Sequence, residues 1–123
     1  MDDELNRALL ECMRVFEELR GLEVRVCYKP LREGVLGQTR VKKQVLSVGG
    51  KRRLVWSPVI EVSTTIRMLG DPRRRRDLLM YVLVHELVHI SRSHLNRPRS
   101  KEHEDDFEQE VIERLRTLQK LLK

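Results

Sequence analysis

The stretch that most constrains this chain is YVLVHELVHI, Tyr81 to Ile90, in which His85, Glu86 and His89 stand in the order H-E-x-x-H. On an α-helix, residues four apart lie one turn above each other on the same face. His85 and His89 can then aim two imidazole nitrogens at one point, and zinc accepts such nitrogens within a tetrahedral set of ligands. Glu86 lies one step round the helix, beside the metal rather than on it, where it can take the proton of a metal-activated water. All of this requires the stretch to be helical. Asp71-Pro72 supplies an N-cap and a proline at the first helical position, and neither Gly nor Pro interrupts the chain from there to Arg92. Leu78, Leu79, Val82, Leu83, Leu87 and Ile90 recur at spacings of three, four and seven, and Tyr81, Val84 and Val88 widen the stripe. The pattern predicts a helix buried on most sides. Two His and a Glu in such a helix need partners, because unpaired buried polar atoms are costly, and a metal supplies them. The competing reading is coincidence, in which one His faces solvent and the Glu pairs with a nearby Arg.

A length of 123 residues fits a single domain, 1–123, and 40% hydrophobic against 36% charged residues gives one modest core under a charged surface. The net charge of +6 permits anionic partners without establishing them. Scarce Asn and abundant ionic residues are a composition that thermophilic proteins favour. Cys12 and Cys27 form no C-x-x-C and are too few for a disulfide framework, which fits a reducing compartment. No membrane-length apolar run or signal peptide is visible, so a soluble, cytoplasmic protein without a membrane partner is expected.

Along the chain, Leu5, Leu9, Cys12, Phe16 and Leu19 predict an amphipathic helix over 2–20, stopped by Gly21. Leu22, Val24, Val26 and Tyr28 alternate with polar residues and predict a half-buried strand over 22–29, ended by Pro30. A second strand is expected over about 38–48, a hairpin turn at Gly49-Gly50-Lys51, and a third strand starting at Leu54–Trp56. Pro58 fits an edge or the sheet's end better than a central strand. Val59 to Met68 reads as a short strand followed by a helical turn. Arg73 to Arg76 oppose the helix dipole; they either grip an anionic partner or are solvated and paired with acids on the last helix. Residues 91–101 are polar, include Pro98 and read as a loop. Ser100 can cap a last helix whose apolar stripe is Phe107, Val111, Leu115, Leu118 and Leu122. The fold class expected is α+β: an N-terminal helix, a small three-stranded twisted sheet, the motif-bearing helix and a C-terminal helix.

His103 lies four residues before Phe107, hence on the same inward face, and ranks first as a third metal ligand. Glu104 ranks second and His94 third, and Glu108 is a weaker candidate. Tyr28, Tyr81, Arg92 and His94 are the candidates for stabilising a tetrahedral intermediate. An exposed strand edge within 38–48 can pair with an extended substrate. Asp105, Glu108 or a backbone carbonyl can hold the imidazole N–H groups.

HELVH followed by a loop and HEDDF, His103 to Phe107, resembles the H-E-x-x-H … H-x-x-x-F pattern of small gluzincin-type zinc peptidases, most nearly the minigluzincins and more distantly the SprT-like proteases. The resemblance implies a minimal zincin scaffold and one Zn2+ per chain on His85, His89 and His103, with Glu86 as the catalytic acid/base. It favours His103 over Glu104. It also implies a hydrolase, a metalloendopeptidase acting on a peptide or protein substrate. It implies latency as well, with 111–123 as the blocking segment of a zymogen and self-association through the C-terminal helix. SprT-like members often carry a cysteine-rich zinc or DNA-binding module; none is visible in this sequence, which counts against a DNA-repair role and leaves nucleic acid a less expected partner. The alternative class is a basic zinc-containing binding protein without peptidase activity, associated with nucleic acid through Arg73 to Arg76.

Overall fold

The stripe from Leu5 to Leu19 is buried throughout, yet it is not one helix. The computed structural model describes residues 3–94 and 104–122, without the side chains of Gln44, His94, Glu104 and Asp105. The first helix, α1, spans Asp3–Met13, and a single 3-10 turn follows at Glu17–Leu19. Between them the backbone tightens into i to i−3 hydrogen bonds, from Arg14 to Glu11 and from Phe16 to Met13. The predicted helix over 2–20 is therefore corrected. No Gly or Pro marks the break; its effect is that the adjacent Val15 and Phe16 are both buried.

Strand β1 is Arg25–Lys29, β2 is Gly37–Val48 and β3 is Lys51–Ser63, in the order β1-β3-β2. β2 and β3 form an antiparallel hairpin, while β1 joins β3 in parallel. The turn between β2 and β3 is Gly49-Gly50, with φ of 58° and 79°. Both central residues are left-handed, the geometry that suits a two-residue hairpin loop and a pair of glycines. Pro58 lies inside the central strand, contrary to the edge position predicted for it. The pairing with β1 begins one residue later, at Val59, so at Pro58 the strand still has a neighbour on only one side.

A short helix, α2, follows at Thr64–Arg67, capped by the Ser63 hydroxyl. Helix α3 spans Pro72–His94, and Asp71 caps it as predicted: its Oδ1 accepts from the N–H groups of Arg73 at 3.0 Å and Arg74 at 3.4 Å. The segment from Ser91 to His94, expected as loop, continues the helix. The completely buried Ser91 donates to Glu18 at 3.0 Å, and Arg92 reaches Glu110 at 3.4 Å. Helix α4 is Glu104–Leu121, with Val111 and Leu118 buried and Phe107 and Leu115 packed against the core.

Among the described residues this is an α+β fold of four helices and one three-stranded mixed sheet. Its core lies where α1 and α3 meet the inner face of the sheet and α4 packs on α3, around Phe16, Ile60, Val62, Leu83 and Leu87. No helix among the described residues is long and apolar enough to cross a membrane. Among the described residues, two of the four arginines at the start of α3 have ion-pair partners, on α1 rather than on the last helix: Arg75 pairs with Glu4 at 2.8 Å and Arg76 with Glu11 at 3.3 Å.

Candidate metal centre

Helix α3 carries His85, Glu86 and His89 on the side that faces the start of β2. Ligand atoms of these three residues all lie within 4.8 Å of one another, a grouping that could hold a metal ion. The two imidazoles meet edge to face, with ring centroids 5.0 Å apart. Two imidazole nitrogens and a carboxylate oxygen are a donor set suited to a first-row divalent ion.

Glu86 is only 5% exposed and is held at both oxygens. Oε1 accepts from the Thr39 hydroxyl at 2.8 Å, and Oε2 lies 3.1 Å from His85 Nδ1. Burial pushes its carboxyl upward. The hydrogen bonds from His85 and Thr39 and the neighbouring charge of His89 outweigh that and hold it below the usual carboxylate range. The same contact acts in reverse on His85. The Glu86 hydrogen bond raises its affinity for a proton, against partial burial and with help from the Glu86 and Glu108 charges.

Thr39 could not be singled out from the sequence, because its role depends on a strand 47 residues away from Glu86. Alternation along β2 was the one signal available, since it puts residue 39 on the inner face with its register partner Ile60. Gly37 has a comparable role. A Cβ there would lie 2.5 Å from Val82 Cγ1 and 3.6 Å from Glu86 Cγ, so the missing side chain lets the strand close onto the helix beside the carboxylate.

From α4, Phe107 packs over both imidazoles, with centroids 4.3 Å from His89 and 5.0 Å from His85. Arg92 lies over the same Phe107 ring, 5.1 Å from its centroid. Glu108 Oε1 lies 3.8 Å from His85 Nε2, which places the weakest of the sequence candidates beside a candidate ligand nitrogen. His103 lies outside the described residues, as do the side chains of Glu104, Asp105 and His94. Tyr81 donates to Glu108 at 3.5 Å; burial and that carboxylate both raise its pKa. Tyr28 is not at this site: it lines a separate depression with Leu5, Asn6 and Arg67.

The three motif residues open onto a cleft of about 650 Å³ between α3 and β2. Thr39 and Gln38 form one wall, His85 and His89 the other, and Val41 and Trp56 extend the floor outward. β2 is an edge strand, as an extended ligand would require. No protein-family model, curated protein or solved structure matches the chain.

Proposed function

We propose that the chain is a zinc-dependent metallopeptidase built on a minimal zincin scaffold of the minigluzincin kind. The observation that carries this reading is the convergence of His85, Glu86 and His89 within 4.8 Å at a cleft walled by an open strand edge. His85 and His89 would hold the ion together with a third ligand. His103 is proposed for that place, because Phe107, four residues further along the sequence, sits against both imidazoles. When bound, zinc supplies Lewis-acid polarisation of a carbonyl and brings the acidity of water near neutrality.

The rest of the chemistry belongs to the chain. Glu86, kept ionised by His85 and Thr39, accepts a proton at a carboxylate oxygen and returns it to the departing amine. Thr39 fixes the carboxylate's direction by its 2.8 Å bond to Oε1. The open backbone of β2 aligns an extended peptide along the cleft, and the apolar floor of Val41 and Trp56 shields it from water. Tyr81, whose ring centroid lies 6.1 Å from that of His85, stands nearest the imidazoles as a donor for developing negative charge, while Arg92 packs on Phe107 and pairs with Glu110.

Metal analysis of the purified chain, with peptide hydrolysis measured before and after chelation, tests the reading. About one zinc per chain is expected, with hydrolysis abolished by chelator and restored by zinc. Glu86→Ala should keep the metal and lose about 10²–10⁴ in rate, the usual share of a general base. A chain that binds no zinc, or a fully active Glu86→Ala variant, overturns it.

A further inference from the structure

Between Glu33 and Glu61 the sequence holds no carboxylate, yet it holds Arg40, Lys42, Lys43, Lys51, Arg52 and Arg53. The fold collects all six on the β2–β3 hairpin. β1 pairs only with Val59–Ser63, so the eight register pairs from Val41↔Pro58 to Val48↔Lys51 form a ribbon just two strands wide. At a rise of about 3.3 Å per residue, that arm is roughly 25 Å long. Arg40 is committed to Glu61 at 3.0 Å, and Lys43 lies 4.6 Å above the Trp56 ring. Among the described residues, Lys42, Lys43, Lys51, Arg52 and Arg53 make no ion pair.

The register sorts these cations by face. Lys43 pairs with Trp56 and Arg52 with Ser47, on the face shared with Thr39 and Ile60. Lys42, Lys51 and Arg53 lie on the opposite face. Apolar side chains stand between them on the first face, with Val45 64%, Leu54 55% and Trp56 50% exposed. A two-stranded ribbon with both faces open is marginal in water on its own, and among the described residues no third strand or helix lies along the outer half of this one.

We propose that this arm enters a groove of duplex nucleic acid. A groove is flanked by phosphates on both sides, so the long cationic side chains of either face of a ribbon lying in it can reach one. The major groove is about 12 Å wide and admits a two-stranded β-ribbon. A bilayer surface is a plane and would use the cations of one face only. Five unpaired cations with no acid among them supply the sequence-independent attraction that phosphate neutralisation gives. The exposed Val45, Leu54 and Trp56 supply apolar surface for sugar and base edges. This proposal does not depend on the metal centre, since none of the five cations touches it.

Fluorescence anisotropy of a labelled duplex of about 20 base pairs, titrated with the full chain at several salt concentrations, tests it. The affinity should fall as salt rises with a log–log slope of about −4 to −5, close to 0.9 for each of the five cations. Lys43→Gln with Arg52→Gln, and separately Lys51→Gln with Arg53→Gln, should each reduce that slope by about 2. These side chains are exposed, so circular dichroism of both double variants should match the parent. The proposal is overturned if no anisotropy change occurs up to about 100 µM chain at ~50 mM salt. It is equally overturned if only one of the two pairs matters, or if phosphatidylserine vesicles or polyglutamate hold the chain more tightly than the duplex at equal charge.

Discussion

Two buried carboxylates set the chemistry of individual residues here, and each is tied down differently. Glu86 is held by a neighbouring imidazole and one hydroxyl at the cleft. Glu61, 1% exposed in the central strand, is held by Gln38 at 2.7 Å, Arg40 at 3.0 Å and Lys29 at 3.3 Å. Burial pushes the Glu61 carboxyl upward, and these hydrogen bonds and cations overcome that and hold it below the ordinary range. A carboxyl lowered by folding contributes stability that is present above its unfolded pKa of about 4.3 and is lost as pH falls through the lower folded value. Glu61→Gln is therefore expected to cost about 1–3 kcal/mol at pH 7 and to flatten the decline of melting temperature below pH 4. Thermal melts of both proteins between pH 2.5 and 7 check this.

At the scale of elements, α3 was legible before any coordinates. Asp71-Pro72 marked its start, and the stripe from Leu78 to Ile90 marked its burial. Replacing Asp71 with Ala removes the acceptor for two backbone N–H groups and is expected to cost about 1 kcal/mol, read from urea unfolding. The hairpin was equally legible, because two glycines between alternating strands leave few other choices. What the sequence did not show depends on contacts between distant segments. The end of α1 at Met13 follows from how Val15 and Phe16 are buried, and the continuation of α3 to His94 from the partners of Ser91 and Arg92. Pro58 was placed wrongly because the end of β1, not β3 itself, decides where the strand has one neighbour. At the candidate site, spacing alone brought His85, Glu86 and His89 together, whereas Thr39, Gly37 and Phe107 needed the packing of three elements.

Across the whole molecule, Glu18 joins three segments. It accepts from Ser91 of α3 at 3.0 Å and from Arg114 of α4 at 2.6 Å, and Arg114 also donates to the Val15 carbonyl beside the 3-10 turn. With Val111 and Leu118 buried, α4 closes the core. Deleting 111–123 removes both Arg114 contacts and the buried Val111 and Leu118. Each large buried side chain lost costs about 2–5 kcal/mol, against a total stability of roughly 5–15. The truncated chain is expected to lose its cooperative melt, as followed by calorimetry.

The parallel union of β1 with β3 also fixes the order in which the molecule can assemble. Strands β2 and β3 meet across two glycines, a closure that takes about 1–10 µs. Arg25 meets Val59 only after the 33 residues between them have looped back, and β1 has no docking edge until β3 exists. Amide protection during refolding should therefore appear in the hairpin before it reaches Arg25–Lys29, and pulse-labelled hydrogen exchange would record that sequence of events.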